Sequence, residues 1–256
     1  MALPIIDARV HVSRTTEPWP RVRELLRRAG IDTALLSPHP ESPQLSDDMR
    51  LPLDVAGKDG PWAAWYVGGN PFNGHLRGEV RLPGNFERYR ALHVRCFLSP
   101  SLDFGGAVTS ATWDPDALQA ALEREDLMAI ITRAGELGMP TWIIEHFPLT
   151  VSIVERFPDQ VFVIPKMGQM NGGTSQVLNA LAEADNVCFD TSFGELHESI
   201  VKRLGYERVM LASGHPFNRP RECIDQVSAL GLPDEQIEAM MGGNLLRLIG
   251  KQREDL

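Results

Sequence analysis

The 256-residue chain carries a formal net charge of −9, with 43% hydrophobic and 23% charged residues, the make-up of a water-soluble globular protein close to the roughly 250 residues typical of one (β/α)8 barrel. That acidity excludes the basic footprint needed to bind nucleic acid or an anionic membrane surface, but it leaves room for a small cationic pocket holding an anionic metabolite. Cys96, Cys188 and Cys223 are far apart, odd in number and form no CxxC pair, so neither a disulfide framework nor a thiolate metal site is expected, and a reducing cytoplasm is the expected location.

Met1 to Asp7 lack the basic start and long apolar run of a signal peptide, and no stretch approaches the ~20 apolar residues of a membrane span. Leu3 to Asp7 instead reads as a first strand. Pro20 to Gly30 follows as a helix, with Val22, Leu25, Leu26 and Ala29 on one face and Gly30 as its stop. Ile31 to Leu36 is a second strand, ended by Ser37-Pro38-His39-Pro40. Ser37 to Ser46 is a loop over a barrel end, and Asp47 to Val55 is helical. Trp62 to Val67 is the third strand, Asn85 to Tyr89 a short helix and Ala91 to Leu98 the fourth strand. After a long connection, Asp114 to Leu122 and Leu127 to Leu137 read as helices, Thr141 to Glu145 as the fifth strand and Thr150 to Phe157 as its helix. Val161 to Ile164, Val187 to Asp190 and Val209 to Ala212 complete the set of eight, separated by helices at Thr174 to Ala182 and Glu195 to Leu204. Two helices, Arg219 to Leu230 and Asp234 to Ile249, close the chain. Eight strands alternating with helices predict a single α/β domain over residues 1–256, a (β/α)8 TIM barrel. The rival, a doubly wound open sheet, usually has fewer strands and often a glycine-rich turn after the first; here Ala8-Arg9-Val10-His11 stands in that place.

The strand ends carry a more specific likeness. Ile5-Ile6-Asp7-Ala8-Arg9-Val10-His11 is similar to the first-strand motif of amidohydrolases, apolar-apolar-Asp-x-His-x-His. Trp142-Ile143-Ile144-Glu145-His146 is similar to their fifth strand, which ends in a metal-binding His. Val163-Ile164-Pro165-Lys166-Met167-Gly168 resembles the sixth, Asn186 to Ser192 the seventh, and Leu211-Ala212-Ser213-Gly214-His215-Pro216-Phe217 the eighth. Gly242-Gly243-Asn244 with Leu245, Leu246 and Leu248 resembles the terminal helix. In this order, from residue 3 to about 250, the chain resembles the amidohydrolase-related hydrolases and decarboxylases of small carboxylic acids. By that resemblance Arg9 stands where one first-strand His belongs and His11 keeps the other. His146 keeps the fifth-strand ligand, Lys166 replaces the sixth-strand His, and Gly214 replaces the eighth-strand Asp.

A catalytic divalent metal normally takes three neutral or anionic protein ligands and an open position. With two imidazoles left and two cations added, no tightly bound metal or other cofactor is expected; the alternatives are a weakly held zinc at His11 and His146, or a metal site rebuilt from Glu145, Asp190 or His215. The same substitutions suit an anion. Arg9 offers a planar fork and Lys166 a compact charge, Arg95 on the fourth strand adds a third cation, and His215 stands beside the mouth. Period-2 alternation places Asp7, Arg9 and His11 on one strand face, so Asp7 is expected to orient Arg9 or to pair with it. His11 and His146 are the proton-transfer candidates, and Lys166 is a base or Schiff-base nucleophile if burial keeps it partly neutral.

Blander readings stand beside these. His11 and His146 serve equally as relics hydrogen-bonded to carbonyls, and Lys166 as a solvated rim lysine. His39, His75, His93 and His197 have no partners at useful spacing and read as surface or packing residues. Asn171-Gly172-Gly173-Thr174 either cradles a phosphate on backbone N–H groups or simply caps a helix. Trp62, Trp65, Trp113 and Trp142 are either pocket wall or core. The expected function is metal-independent hydrolysis of an ester, lactone or amide of a small carboxylate, in a monomer or homo-oligomer. The alternatives are a carbon–carbon lyase or decarboxylase of the same superfamily, and an inactive barrel serving as a small-anion binding protein or scaffold.

Overall fold

Eight parallel strands form one sheet in the order β1-β2-β3-β4-β5-β6-β7-β8: β1 Ile6–Val12, β2 Thr33–Pro38, β3 Trp62–Gly68, β4 Ala91–Arg95, β5 Thr141–Ile143, β6 Phe162–Ile164, β7 Val187–Asp190 and β8 Val209–Met210. The computed structural model describes residues 3–58, 60–68, 80–95, 115–192 and 196–250. The sheet closes on itself. Ala8 N–H donates to the Leu211 carbonyl (2.9 Å), Gly214 N–H to that of Arg9 (2.8 Å) and His11 N–H to that of His215 (2.9 Å), so no open edge is left between β8 and β1. Each strand position in the predicted (β/α)8 barrel is occupied. The ends differ: β5 and β8 stop earlier than their apolar runs, and Cys96 to Leu98 of the fourth run lie outside the described residues.

The helices wrap the outside. Among the described residues they are α1 Trp19–Ala29, α2 Leu45–Asp48, α3 Leu51–Val55, α4 Pro115–Leu122, α5 Glu125–Glu136, α6 Phe147–Arg156, α7 Thr174–Leu181, α8 Glu198–Leu204, α9 Pro220–Ser228, α10 Asp234–Glu238 and α11 Asn244–Gly250. Pro at the first or second position starts α1, α6 and α9, where a missing N–H costs nothing. The predicted helix 47–55 is two short helices, because Pro52 cannot donate to the turn before it. The long C-terminal helix is likewise interrupted, by a π-turn at Ala239–Gly243. That break lets α11 approach the barrel: a side chain on Gly242 would lie 2.2 Å from the Pro4 carbonyl. No helix among the described residues is long and apolar enough to cross a membrane.

Two apolar layers result. The outer one joins strand faces to helices. The inner one fills the barrel with Ile6, Ala8, Leu35, Trp62, Ala64, Ala91, Trp142, Val163, Cys188, Met210 and Ala212, and is stoppered at the N-terminal end by Leu245, Leu248 and Ile249 of α11. With that end filled, the polar residues at the C-terminal strand ends have one way to face a ligand, which is the barrel mouth.

β1 departs from simple alternation. Its register with β2 runs Asp7↔Ala34 and then Val10↔Leu36, one extra residue on β1. This β-bulge resets the faces. Ile6 and Ala8 belong to the inner layer, whereas Val10 and Val12 belong to the outer one, so Arg9 and His11 turn inward and Asp7 does not share their face. The expectation of Asp7, Arg9 and His11 on one face is therefore corrected. Asp7 Oδ1 accepts the Arg9 backbone N–H (3.1 Å) within the bulge.

Candidate active site

Arg9 is buried, and its partner is not Asp7. Nε lies 3.1 Å from Asp190 Oδ2 at the end of β7, and Nη2 donates to Ser192 Oγ. Asp190 is a hub. Its Oδ1 accepts the backbone N–H groups of Lys166 (2.9 Å) and Ser192 (3.1 Å) and the Ser192 hydroxyl (2.5 Å), and its Oδ2 accepts Trp142 Nε1 (3.1 Å). β1, β5, β6 and β7 are thus tied together by one carboxylate. Asp7 is held separately. Ser213 donates to it from N–H (2.9 Å) and from Oγ (2.5 Å), while burial raises its pKa to about 6.

Gly214 stands where the resembling family carries an Asp. Its φ is +60°, a left-handed conformation, and a Cβ there would lie 3.2 Å from Arg9 Nη2 and 3.2 Å from Ser192 Cβ. The Arg9 guanidinium fills the space next to the vacated position.

Lys166 follows β6 in an unusual backbone. Lys166 (φ 56°) and Met167 (φ 50°) are both left-handed, followed by Gly168 (φ 82°). Left-handed backbone costs a non-glycine residue about 1–2 kcal/mol, and such strain clusters at functional sites. Three contacts hold it: the Lys166 N–H on Asp190, the burial of Met167, and Gly168 packed where any Cβ would meet Val177 at 2.6 Å. The ammonium sits 5.4 Å from the centre of the Phe217 ring. Burial first, and then repulsion from Arg9 and Arg95, push its pKa down to about 7.

His11 is buried beside these cations. Its Nδ1 is 2.8 Å from Ser37 Oγ, and its Nε2 is buried with no hydrogen-bond partner among the described residues. Burial, with Arg9 next, lowers its pKa well below the usual range, so at neutral pH it is an uncharged imidazole. His39 packs here: it is buried, 6.2 Å from His11 and 5.5 Å from Phe217 between ring centroids. Its Nδ1 accepts the Glu41 N–H (3.1 Å), which leaves any ring proton on Nε2.

His93 is packed inside the barrel as well. It lies in β4 two residues before Arg95, hence on the same strand face. Its Nε2 is buried without a hydrogen-bond partner among the described residues, its ring is 5.2 Å from that of Trp142, and burial lowers its pKa to about 3. The spacing His93-x-Arg95 was the signal that could have found it. Arg95 is buried, and burial is the main influence lowering its pKa.

Two further predicted residues, His215 and His146, are buried beyond the C-terminal ends of β8 and β5. His215 has its Nε2 3.0 Å from Glu17 Oε2 in the β1–α1 loop, so it buttresses the mouth. His146 is buried at the N-cap of α6, where its carbonyl accepts the Thr150 N–H (2.9 Å), next to the buried Glu145. The Asn171 turn is structural: Nδ2 donates to the Ile143 carbonyl (3.0 Å) and to Thr150 Oγ1 (3.1 Å). Trp142 is barrel core, while His75 and Trp113 lie outside the described residues.

The residues present do not fit a tightly held dication. Arg9 and Lys166 carry positive charge into the region, Asp190 is committed to Arg9 and His215 to Glu17. Among the described residues no three His, Cys, Asp or Glu side chains converge on one point.

No family model matches the sequence, and no curated protein matches it. Solved structures do. Amidohydrolase 2 from Bifidobacterium longum subsp. infantis aligns with a TM-score of 0.64 at 14% identity, over 97% of this chain and 99% of its own. The 5-carboxyvanillate decarboxylase from Sphingomonas paucimobilis aligns at 0.61 and 13%, over 97% and 99%. A candidate 2-pyrone-4,6-dicarboxylic acid hydrolase from Pseudomonas putida aligns at 0.61 and 16%, over 98% of each chain. From end to end, this chain has the barrel fold of the amidohydrolase-related hydrolases and decarboxylases.

Proposed function

We propose that the protein is an amidohydrolase-like enzyme that takes a small carboxylate-bearing substrate and works without a tightly bound metal. The observation that carries this is Arg9 packed against Gly214, with Lys166 and Arg95 within electrostatic reach. A cluster of cations at the mouth of an otherwise apolar barrel supplies what an anion needs and what a dication does not tolerate. Arg9 and Arg95 are the anchors for the carboxylate. Burial holds His11 uncharged, so it serves as a neutral hydrogen-bond partner and does not act as a general acid near neutral pH. The proton-transfer role falls to Lys166, whose pKa near 7 suits a base at working pH.

Hydrolysis of an ester, lactone or amide is the leading reading, with Lys166 drawing a proton from the attacking water. Carbon–carbon cleavage is the second, favoured by the same lysine. Neighbours of the same fold support a carboxylate substrate and both bond types: one is named for decarboxylating 5-carboxyvanillate, another for hydrolysing 2-pyrone-4,6-dicarboxylic acid.

A thermal-shift series on chelator-treated protein tests the proposal, with 2,6-dihydroxybenzoate, acetoacetate and inorganic phosphate as probes. A carboxylate at 100-fold excess over its Kd is expected to stabilise the fold by about 2.7 kcal/mol, and Arg95→Gln to abolish the shift. A flat response to every probe would overturn the proposal and favour an inactive scaffold.

A further inference from the structure

We propose that Lys166 is an amine nucleophile that forms an imine with a small 3-oxo acid, giving this barrel a metal-free decarboxylase activity. The inference rests on the anion-binding chamber proposed above and adds the covalent step.

Three observations place this lysine apart from a simple anchor. Its backbone is held in a strained left-handed turn that continues through Met167, fixed by Asp190 and by buried packing. Flexible rim lysines need no such fixing, whereas a reacting group gains from it because orientation is obtained before the substrate arrives. Second, Arg9 and Arg95 lie within electrostatic reach, and of three mutually repelling cations only the amine can shed its proton. Third, Asp190 and Glu41, the carboxylates in reach of the amine, favour the ammonium less than Arg9 and Arg95 oppose it. A desolvated lysine beside other cations is the arrangement that makes an amine nucleophilic at neutral pH. Phe217, 37% exposed and 5.4 Å from Nζ, gives it an apolar wall at the opening.

The chemistry balances without a co-reactant. The neutral Nζ adds to the ketone carbon, the N–C bond forms and the carbonyl oxygen takes up a proton. Water then leaves, so the net change is ammonium plus ketone to iminium plus water. With the carboxylate one carbon away, the C–CO2 bond breaks and its electron pair flows into the iminium, giving an enamine and CO2. Protonation of the enamine carbon and hydrolysis of the iminium return the ketone and the lysine. One proton is consumed overall, and nothing is oxidised or reduced.

The chain has four lysines, Lys58, Lys166, Lys202 and Lys251, which makes the test selective. Full-length protein is incubated with acetoacetate and cyanoborohydride near pH 7, and adducts are mapped by peptide mass spectrometry. The expected result is modification of Lys166 on the order of 1,000-fold above each other lysine, from its larger neutral fraction. Lys166→Arg and Lys166→Met, both checked for folding, are expected to lose that adduct. Labelling no stronger at Lys166 than at the other lysines overturns the proposal. If 2,6-dihydroxybenzoate still stabilises the protein while acetoacetate leaves no Lys166 adduct, the covalent step falls and the anion chamber stands. If neither occurs, both fall.

Discussion

Lys166 shows most plainly how a buried charged side chain strains the fold around it. Its pKa of about 7 in the folded chain, against 10.5 when unfolded, means that between these values the unfolded state binds a proton that the folded state does not. Stability therefore rises with pH across that window, and the cost of the charge is felt in full below it. Lys166→Met is expected to stabilise the protein by on the order of 2–4 kcal/mol near neutral pH, with the gain fading towards pH 10.5. Urea unfolding at several pH values reads this directly; a Met variant no more stable than wild type at low pH would show that the ammonium is well solvated. Arg9 is held differently: its guanidinium is tied to Asp190 and Ser192.

At the scale of the element, the bulge in β1 and the turn after β6 decide which side chains reach the mouth. Without the extra residue between Asp7 and Val10, strict alternation would not turn both Ala8 and Arg9 inward. β8 answers with Gly214, whose left-handed φ and missing side chain make room for the guanidinium. Gly214→Ala is expected to destabilise the fold by about 1–2 kcal/mol through its φ alone, and to weaken carboxylate binding by displacing Arg9. Unchanged stability and binding would refute that account. The eight strands and most helices were legible in the sequence because apolar runs and helical periodicity are local signals. The bulge was not, since it depends on pairing with β2, and so the Asp7–Arg9 pairing failed while the inward direction of Arg9 and His11 held. Asp190 as the partner of Arg9 was hidden for the same reason: 181 residues of chain separate the two, and only barrel closure brings them together. His93 was readable, since it shares a strand face with Arg95, yet a lone His with no local motif gave no cause to single it out.

For the molecule as a whole, the C-terminal helix seals one end of the barrel and the charged side chains gather at the other. The fold is one on which solved neighbours are named both as hydrolase and as decarboxylase, so the fold alone does not choose the reaction, and the site must. By the resemblance of the strand-end motifs, Arg9 and Lys166 stand where the family carries histidines, which is a difference in charge. The most direct measurement is elemental analysis of protein purified without added metal. The account predicts zinc and other divalent ions far below one per chain; one tightly held divalent ion per chain would contradict it.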